Sequence, residues 1–257
     1  MKLAIIIPAY NEEKRIGKTL ETYSSFFEKL RKANKLDYET LIVINGTRDK
    51  TEDVVKKYGE KNSRIRHLNF KRGGKGFAIM EGFKESLKRE NGLIGFVDAD
   101  LATKPEHFYE LVKNIGDFDA AIASRAMKDS VIQTSKLRRI NSRGFNWIVR
   151  LLLFLPYRDT QCGAKVFKRK AIEKIVNSSI EAQWAFDVDL LYTLKKKGFS
   201  IIEVPTTWEE KSGGSIKMMT PLKMFSSIVR LRLLHSPFKF IVEFYDKLPE
   251  RIKIHNF

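Results

Sequence analysis

Residues 3–8 read Leu-Ala-Ile-Ile-Ile-Pro, an unbroken apolar run of the kind expected for a strand covered on both faces. Ile16, Leu20, Tyr23, Phe27 and Leu30 then recur at three- and four-residue steps and predict a helix. The alternation continues. Residues 38–44 predict a second strand, broken by Asn45-Gly46-Thr47. Val54, Val55 and Tyr58 predict a short helix, and residues 65–70 a third strand. Gly73-Gly74-Lys75-Gly76 leads into a helix carrying Ile79, Phe83 and Leu87. Residues 93–97 form a fourth strand that runs into Asp98-Ala99-Asp100. Thr103 and Glu106 have the spacing of a capping box around Pro105, and Phe108, Leu111, Val112 and Ile115 supply that helix's apolar face. Residues 120–123 make a further strand.

Beyond this point the pattern is less regular. A basic, then apolar, helix is expected over 138–155, a strand over 164–167, a helix over 186–197 and a strand over 199–205. Thr220-Pro221 opens a last helix with Phe225, Val229 and Leu233 along one side. The βαβα rhythm predicts an α/β fold, a mainly parallel sheet with helices on both faces. With no internal repeat or clear linker, one continuous domain is expected over residues 1–235, followed by a C-terminal extension, 236–257.

Composition narrows the setting. The chain's 257 residues can bury a sizeable core, and 43% hydrophobic with 31% charged residues excludes a disordered chain. Cys162 is the single cysteine, so an intramolecular disulfide and a cysteine metal cluster are both excluded; it reads as a small buried hydrophobe in a reducing compartment. The opening apolar run is too short for a signal peptide, and the longest later one, 151–155, is far too short to span a bilayer. The net charge of +17 favours polyanions: nucleic acid, anionic lipid or a phosphorylated substrate. Most aromatics occupy core-like helical positions, which argues against nucleic acid.

The chemistry concentrates in four segments. Asp98 and Asp100 follow a strand, where open parallel sheets bind ligands, and the small Ala99 between them lets both carboxylates reach one ligand. A divalent metal held there would bridge a diphosphate; an ordinary solvated acidic loop is the alternative. The Gly73–Gly76 stretch, preceded by Lys71 and Arg72, offers backbone N–H groups at a helix start for phosphate, or a plain turn. Residues 158–165, Arg-Asp-Thr-Gln-Cys-Gly-Ala-Lys, are polar between apolar runs. Asp187 lies among aromatic residues after Trp184, as a general base would, or as a helix-start acid.

At these residues the chain resembles family 2 of the inverting glycosyltransferases, which adopt the GT-A fold. Ile6-Ile7-Pro8-Ala9-Tyr10-Asn11-Glu12-Glu13 is similar to that family's first strand and nucleotide-binding turn. Arg72–Gly76 resembles its basic glycine loop, Asp98-Ala99-Asp100 its metal motif, and Ser124-Arg125-Ala126 its strand-end Ser-Arg. Asp159-Thr160-Gln161-Cys162-Gly163-Ala164-Lys165 and Trp184-Ala185-Phe186-Asp187-Val188 resemble the dolichyl-phosphate glucosyltransferase group.

The resemblance implies a GT-A catalytic domain that moves a hexose, glucose by preference, from a nucleotide-sugar to a polyprenyl (dolichyl) phosphate. Pro8, Ala9, Tyr10, Glu12, Asn45, Lys75, Asp98, Ala99 and Asp100 would bind the donor. Asp98 and Asp100 would hold Mg²⁺ or Mn²⁺. Arg125, Arg158, Lys165 and Lys217 would position the acceptor phosphate, and Asp159 and Asp187 would orient or deprotonate the acceptor. The family's usual Asp-Asp-Gly-Ser turn is replaced here by Ile44-Asn45-Gly46-Thr47, which leaves the nucleobase open; a UDP-sugar is favoured over GDP-mannose. Members often carry an N-terminal membrane span, and this sequence shows none. Contact with an anionic membrane surface, at the cytoplasmic face, is therefore expected to be peripheral. It would run through Trp147, Ile148, Leu151, Leu152 and Phe154 beside Arg138, Arg139, Arg143 and Arg150, and through the last helix with Met218, Met219, Phe225 and Ile228. The alternatives are a different acceptor (a lipid-linked oligosaccharide, a glycan or a protein) and a non-enzymatic basic binding protein.

Overall fold

The computed structural model describes residues 1–178, 185–210 and 220–247, with the backbone alone at 220–224 and 243. Seven strands form one sheet in the order β3-β2-β1-β4-β7-β5-β8. They are β1 (Lys2–Ala9), β2 (Asp37–Asn45), β3 (Ile65–Phe70), β4 (Leu93–Phe96), β5 (Ala120–Ser124), β7 (Lys165–Lys168) and β8 (Ile201–Pro205). All neighbours are parallel except β7, which runs antiparallel to both β4 and β5. A second, two-stranded parallel sheet pairs β6 (Val131–Gln133) with β9 (Thr207–Glu209).

The apolar run in β1 is explained by cover on both faces. Leu3, Ile5 and Ile7 join one core cluster, with α1 (Ile16–Lys32) and α4 (Pro105–Asn114), while Ala4 and Ile6 join another with α3 (Lys75–Leu87). All five are fully buried, and a buried Leu or Ile side chain contributes about 1.5–3 kcal/mol. Ile6 sits at the sheet's centre, paired with Leu41 on one side and Phe96 on the other. The second cluster extends over α5 (Lys136–Leu153), α6 (Arg169–Ile175) and α7 (Phe186–Lys196).

Local patterns located most elements, with α2 (Thr51–Lys61) among them. One local expectation is corrected: α4 starts at Pro105, but no side chain caps it, and the residue before it is Lys104. Thr103 is one residue too early, and tertiary bonds claim it. Its carbonyl accepts from the Tyr23 hydroxyl at 2.9 Å, and its backbone forms a bridge with Trp208. The three-residue strands β6 and β9 and the seven-residue α6 are too short to show a period. The helix opened by Thr220, α8 (Thr220–Leu234), is followed by another, α9 (Lys239–Lys247), tied to it by Arg230 and Asp246 at 2.8 Å. Among the described residues no helix is long and apolar enough to cross a membrane.

Candidate active site

The order β2-β1-β4 makes a topological switch point, and parallel sheets of this kind open a crevice there at the strands' carboxyl ends. A cleft of about 470 Å³ occupies it. Pro8, Tyr10 and Glu12 line it from the end of β1, and Asn45 from the end of β2. Gly73, Gly74 and Lys75 line it from the start of α3, and Asp98, Ala99 and Asp100 from beyond β4. Ala9 does not line it. That side chain is fully buried in the core, and the residue contributes only its carbonyl, which accepts from Asn45 Nδ2 at 3.1 Å.

Three acids share this cleft. Burial pushes the Asp100 carboxyl above the ordinary aspartate value, and the neighbouring Asp98 charge adds to the rise. Burial also raises Glu12, against the Arg15 guanidinium that grips both its oxygens at 2.6 Å. Like charges gathered in a concave, partly desolvated place favour a cation. Two carboxylates completed by diphosphate oxygens fit the oxygen shell that Mg²⁺ or Mn²⁺ prefers. Among the described residues no cluster of three or more His, Cys, Asp or Glu side chains stands ready to hold a metal alone, so the substrate would have to supply the remaining ligands.

Asn45 is committed elsewhere than to a free recognition role. It is 2% exposed, its Nδ2 donates to the Ala9 and Val43 carbonyls, and its Oδ1 accepts from the Gly74 N–H at 2.9 Å. Gly74 has φ +124°, a backbone region that L side chains rarely adopt. Asn45 thus clips the glycine loop to β1. The task needs a donor and an acceptor in one side chain, which a carboxylate does not supply.

A line of alternating charges leads out of the cleft. Lys75 Nζ lies 2.6 Å from Asp98 Oδ1 and 3.9 Å from Asp187 Oδ2. Burial works against this ammonium, yet Asp98 and Asp187 hold its pKa above the usual lysine value. Asp187, on the first turn of α7, also accepts from Lys165 Nζ at 2.6 Å. Lys165 is 0% exposed, with its second hydrogen bond donated to the Cys162 carbonyl at 2.6 Å. The expectation that Lys165 meets the acceptor phosphate is therefore corrected: it is the sealed counter-ion of Asp187. Cys162 is the small buried residue expected, its thiol pushed up to about 11 by burial.

A second cavity, about 560 Å³, lies beyond β5. Arg125 and Arg158 line it, joined by Lys128, Arg138, Arg139 and Arg143, with Ile132, Phe145 and Trp208 as apolar surface. The sequence pattern places the last three of these arginines only on a basic helix, with no cavity to face. Asp159, 2% exposed, accepts from the Arg125 backbone N–H at 2.9 Å, Nε at 2.7 Å and Nη2 at 3.0 Å. Burial would raise its pKa, but the Arg125 charge and hydrogen bonds prevail and lower it. Asp159 is thus held in its charged form beside Arg125, whose backbone and guanidinium it fixes in place. The Arg125 guanidinium, 5.2 Å from the Trp208 ring, shares that ring with Arg138 at 5.5 Å, and Arg138 is paired with Glu210.

The two cavities share a wall. Gln161 lines the second, and two residues on, Gly163 packs against Asp98 of the first. From the other side β9 does the same. It pairs with β6 at the second cavity, while Trp208 bridges Thr103 and the Glu209 N–H donates to the Ala102 carbonyl, just beyond Asp100. No local sequence signal marked Trp208, because its partners are distant in the chain. Lys217, Trp184, Met218 and Met219 lie outside the described residues.

A switch-point cleft with paired acids, on a mostly parallel sheet interrupted by one antiparallel strand, defines the GT-A class of glycosyltransferase fold. Crystal structures of glucosyl-3-phosphoglycerate synthase from Mycobacterium tuberculosis share it. One, in complex with Mn²⁺ and uridine-diphosphate-glucose, matches with TM-score 0.65 and 16% identity, covering 90% of this chain and 78% of that one. Residues 4–176 match Glycosyl transferase family 2, and the chain belongs to that family. It is 33% identical over 246 residues to the human dolichyl-phosphate beta-glucosyltransferase, covering 90% of this chain and 75% of that protein. It is 32% identical over 234 residues to glycosyltransferase AglD of Haloferax volcanii, covering 90% of this chain but only 37% of the relative's length.

Proposed function

We propose that this protein transfers glucose from UDP-glucose to a polyprenyl phosphate of the dolichyl type, with inversion at the anomeric carbon. The similarity to dolichyl-phosphate beta-glucosyltransferases supports the substrate pair. The observation that carries the reading is that an acidic cleft and a cavity lined by six Arg and Lys side chains lie on the two sides of one loop. A nucleotide diphosphate with its cation suits the first, and an anionic phosphate with an apolar tail suits the second.

In this reading the glycine loop and Lys75 hold the donor's phosphates, and Asp98 and Asp100 would hold Mg²⁺ or Mn²⁺, which would supply positive charge beside the departing diphosphate. An oxygen of the acceptor phosphate attacks the anomeric carbon from the face opposite the bond to UDP. That bond breaks, and its electron pair leaves with the diphosphate. A lipid phosphate is already an anion near neutral pH, so a strong base is not required and positioning by cations matters more. This agrees with Asp159 and Asp187 each lying beside a cation. Asp187 acts by positioning Lys75, with the buried Lys165 as its own counter-ion.

The acceptor's tail implies contact with a bilayer. Leu137, Ile140, Trp147, Leu151 and Phe154 are 56–70% exposed along α5. The exposed Arg139, Arg143 and Arg150 lie among them. A basic amphipathic surface of this kind suits the anionic cytoplasmic face of a membrane, bound peripherally.

The test is incubation of purified protein with labelled UDP-glucose, dolichyl phosphate in anionic vesicles, and Mn²⁺, Mg²⁺ or chelator. A metal-dependent glucosyl lipid, lost in Asp100→Ala, is expected. No labelled lipid with any polyprenyl phosphate overturns the proposal, and label from GDP-mannose alone overturns the choice of donor.

A further inference from the structure

Lys75 sits where a divalent cation would compete with it. Its ammonium lies 2.6 Å from Asp98 Oδ1, while the other oxygen of Asp98 faces Gly163 with no room for a side chain between them. Asp98, 37% exposed in the cleft, thus meets any ligand with one of its two oxygens already in an ion pair. The same ammonium lies within 3.9 Å of Asp187, which a second cation, Lys165, already holds at 2.6 Å. Lys75 thus has two acids to choose between, and Asp187 stays neutralised whichever is chosen. Its side chain is 40% exposed and lines the donor cleft, so the stem has space to move. As the first residue of α3, Lys75 also stands at the helix end where backbone N–H groups favour phosphate.

We propose that Lys75 is a positioning residue that occupies Asp98 until the metal–diphosphate donor arrives, then gives up that oxygen and is shared between Asp187 and the donor's phosphate. Two consequences follow. Metal alone binds weakly, because it must displace an internal cation from Asp98. Metal and nucleotide bind cooperatively, because the displaced ammonium gains the diphosphate. The inference rests on the reading of Asp98 and Asp100 as metal-holding acids, and it links the donor cleft to Asp187 on α7.

The experiment is calorimetric titration of the full chain with Mn²⁺ alone, and with Mn²⁺ at saturating UDP, for wild type, Lys75→Met, Lys75→Arg and Arg72→Met. Lys75→Met should bind Mn²⁺ alone about two- to fivefold more tightly, the equivalent of removing a half-exposed ion pair. It should also lose most of the enhancement that UDP confers. Lys75→Arg should keep the wild-type pattern. Arg72→Met removes a charge from the same loop without removing the ion pair to Asp98, and should leave the affinity for Mn²⁺ alone unchanged. Equal or weaker Mn²⁺ binding by Lys75→Met overturns the proposal, as does an equal gain in Arg72→Met, which would make the effect one of net charge. If no variant binds Mn²⁺ even with UDP, it is the metal reading of the cleft that fails. Circular dichroism melts establish that each variant is folded.

Discussion

Gly163 and Asp98 are packed so closely that a Cβ at position 163 would fall 1.8 Å from Asp98 Oδ2 and 2.4 Å from its Cγ. The glycine in the Asp159–Lys165 string is therefore required by a contact some sixty-five residues away in the chain. It leaves Asp98 a slot between the loop and the Lys75 ammonium.

Substituting Gly163→Ala forces Asp98 out of that slot. Overpacking of this kind costs about 1–3 kcal/mol. Calorimetry with UDP-glucose and Mn²⁺ should show roughly 10- to 100-fold weaker binding, with a melting temperature only a few degrees lower. Unchanged donor affinity would show that Asp98 has no part in holding the donor.

Asp100→Asn separates stability from function. The Asp100 carboxyl has its pKa raised in the folded state by burial and then by Asp98. The stability tied to its proton is present below the unfolded value, about 3.9, and is lost as pH rises through the folded pKa. At neutral pH the ionised group is a cost, and asparagine removes it while keeping an oxygen for the Ala102 N–H at 3.0 Å. The ligand-free variant should melt on the order of 2 °C higher at pH 7. The gain should vanish near pH 3, and metal-dependent donor binding should be gone. A lower melting temperature at pH 7 would contradict this account.

Asp159→Asn has the opposite sign. The Asp159 pKa is lowered, so its contribution is present above the unfolded value, about 3.9, and is lost as pH falls through the folded one. Leaving the Arg125 charge without its partner should cost about 3 kcal/mol at pH 7 by denaturant unfolding. The gap between variant and wild type should close in strongly acidic solution. A gap independent of pH would mean that the pair's geometry matters and its charge does not.

Trp208 carries two guanidinium groups on one ring. Trp208→Phe keeps an aromatic face and Trp208→Leu does not, and each cation–π contact contributes about 0.5–2 kcal/mol. The Leu variant should raise KM for the lipid phosphate about tenfold and the Phe variant by less, with UDP-glucose affinity unchanged in both. Equal effects in the two variants would reduce the role of Trp208 to filling space.

Much of the donor side was legible before any fold was known. Lys75, Asp98 and Asp100 all stand at the junctions of strands and helices that periodicity alone locates, and a parallel sheet puts such junctions at one rim. The acceptor side was legible only in part. Arg125 stands just after a strand that the pattern locates, and Arg158 opens the polar segment between apolar runs; both line the second cavity. Lys165 and Asp159 look like free polar groups in sequence and are neutralised in space, Lys165 by Asp187 and Asp159 by Arg125. Trp208 was not marked, since strands of three residues give no period, and the α5 arginines were marked only for membrane contact, since a basic helix face does not show that a cavity lies beside it.

Taken alone, the chain's apolar spacing determined the strands of the main sheet, its largely parallel sense and the glycine–acid rim, because each depends on residues only a few positions apart. Tertiary packing decided which charges are spent and which are free. Arg125 meets Asp159 across 34 positions and Arg138 meets Glu210 across 72. Periodicity encodes which face of an element is buried. It does not encode which cation and which carboxylate come together, and the cost of burying either one alone makes that pairing a property of the whole fold.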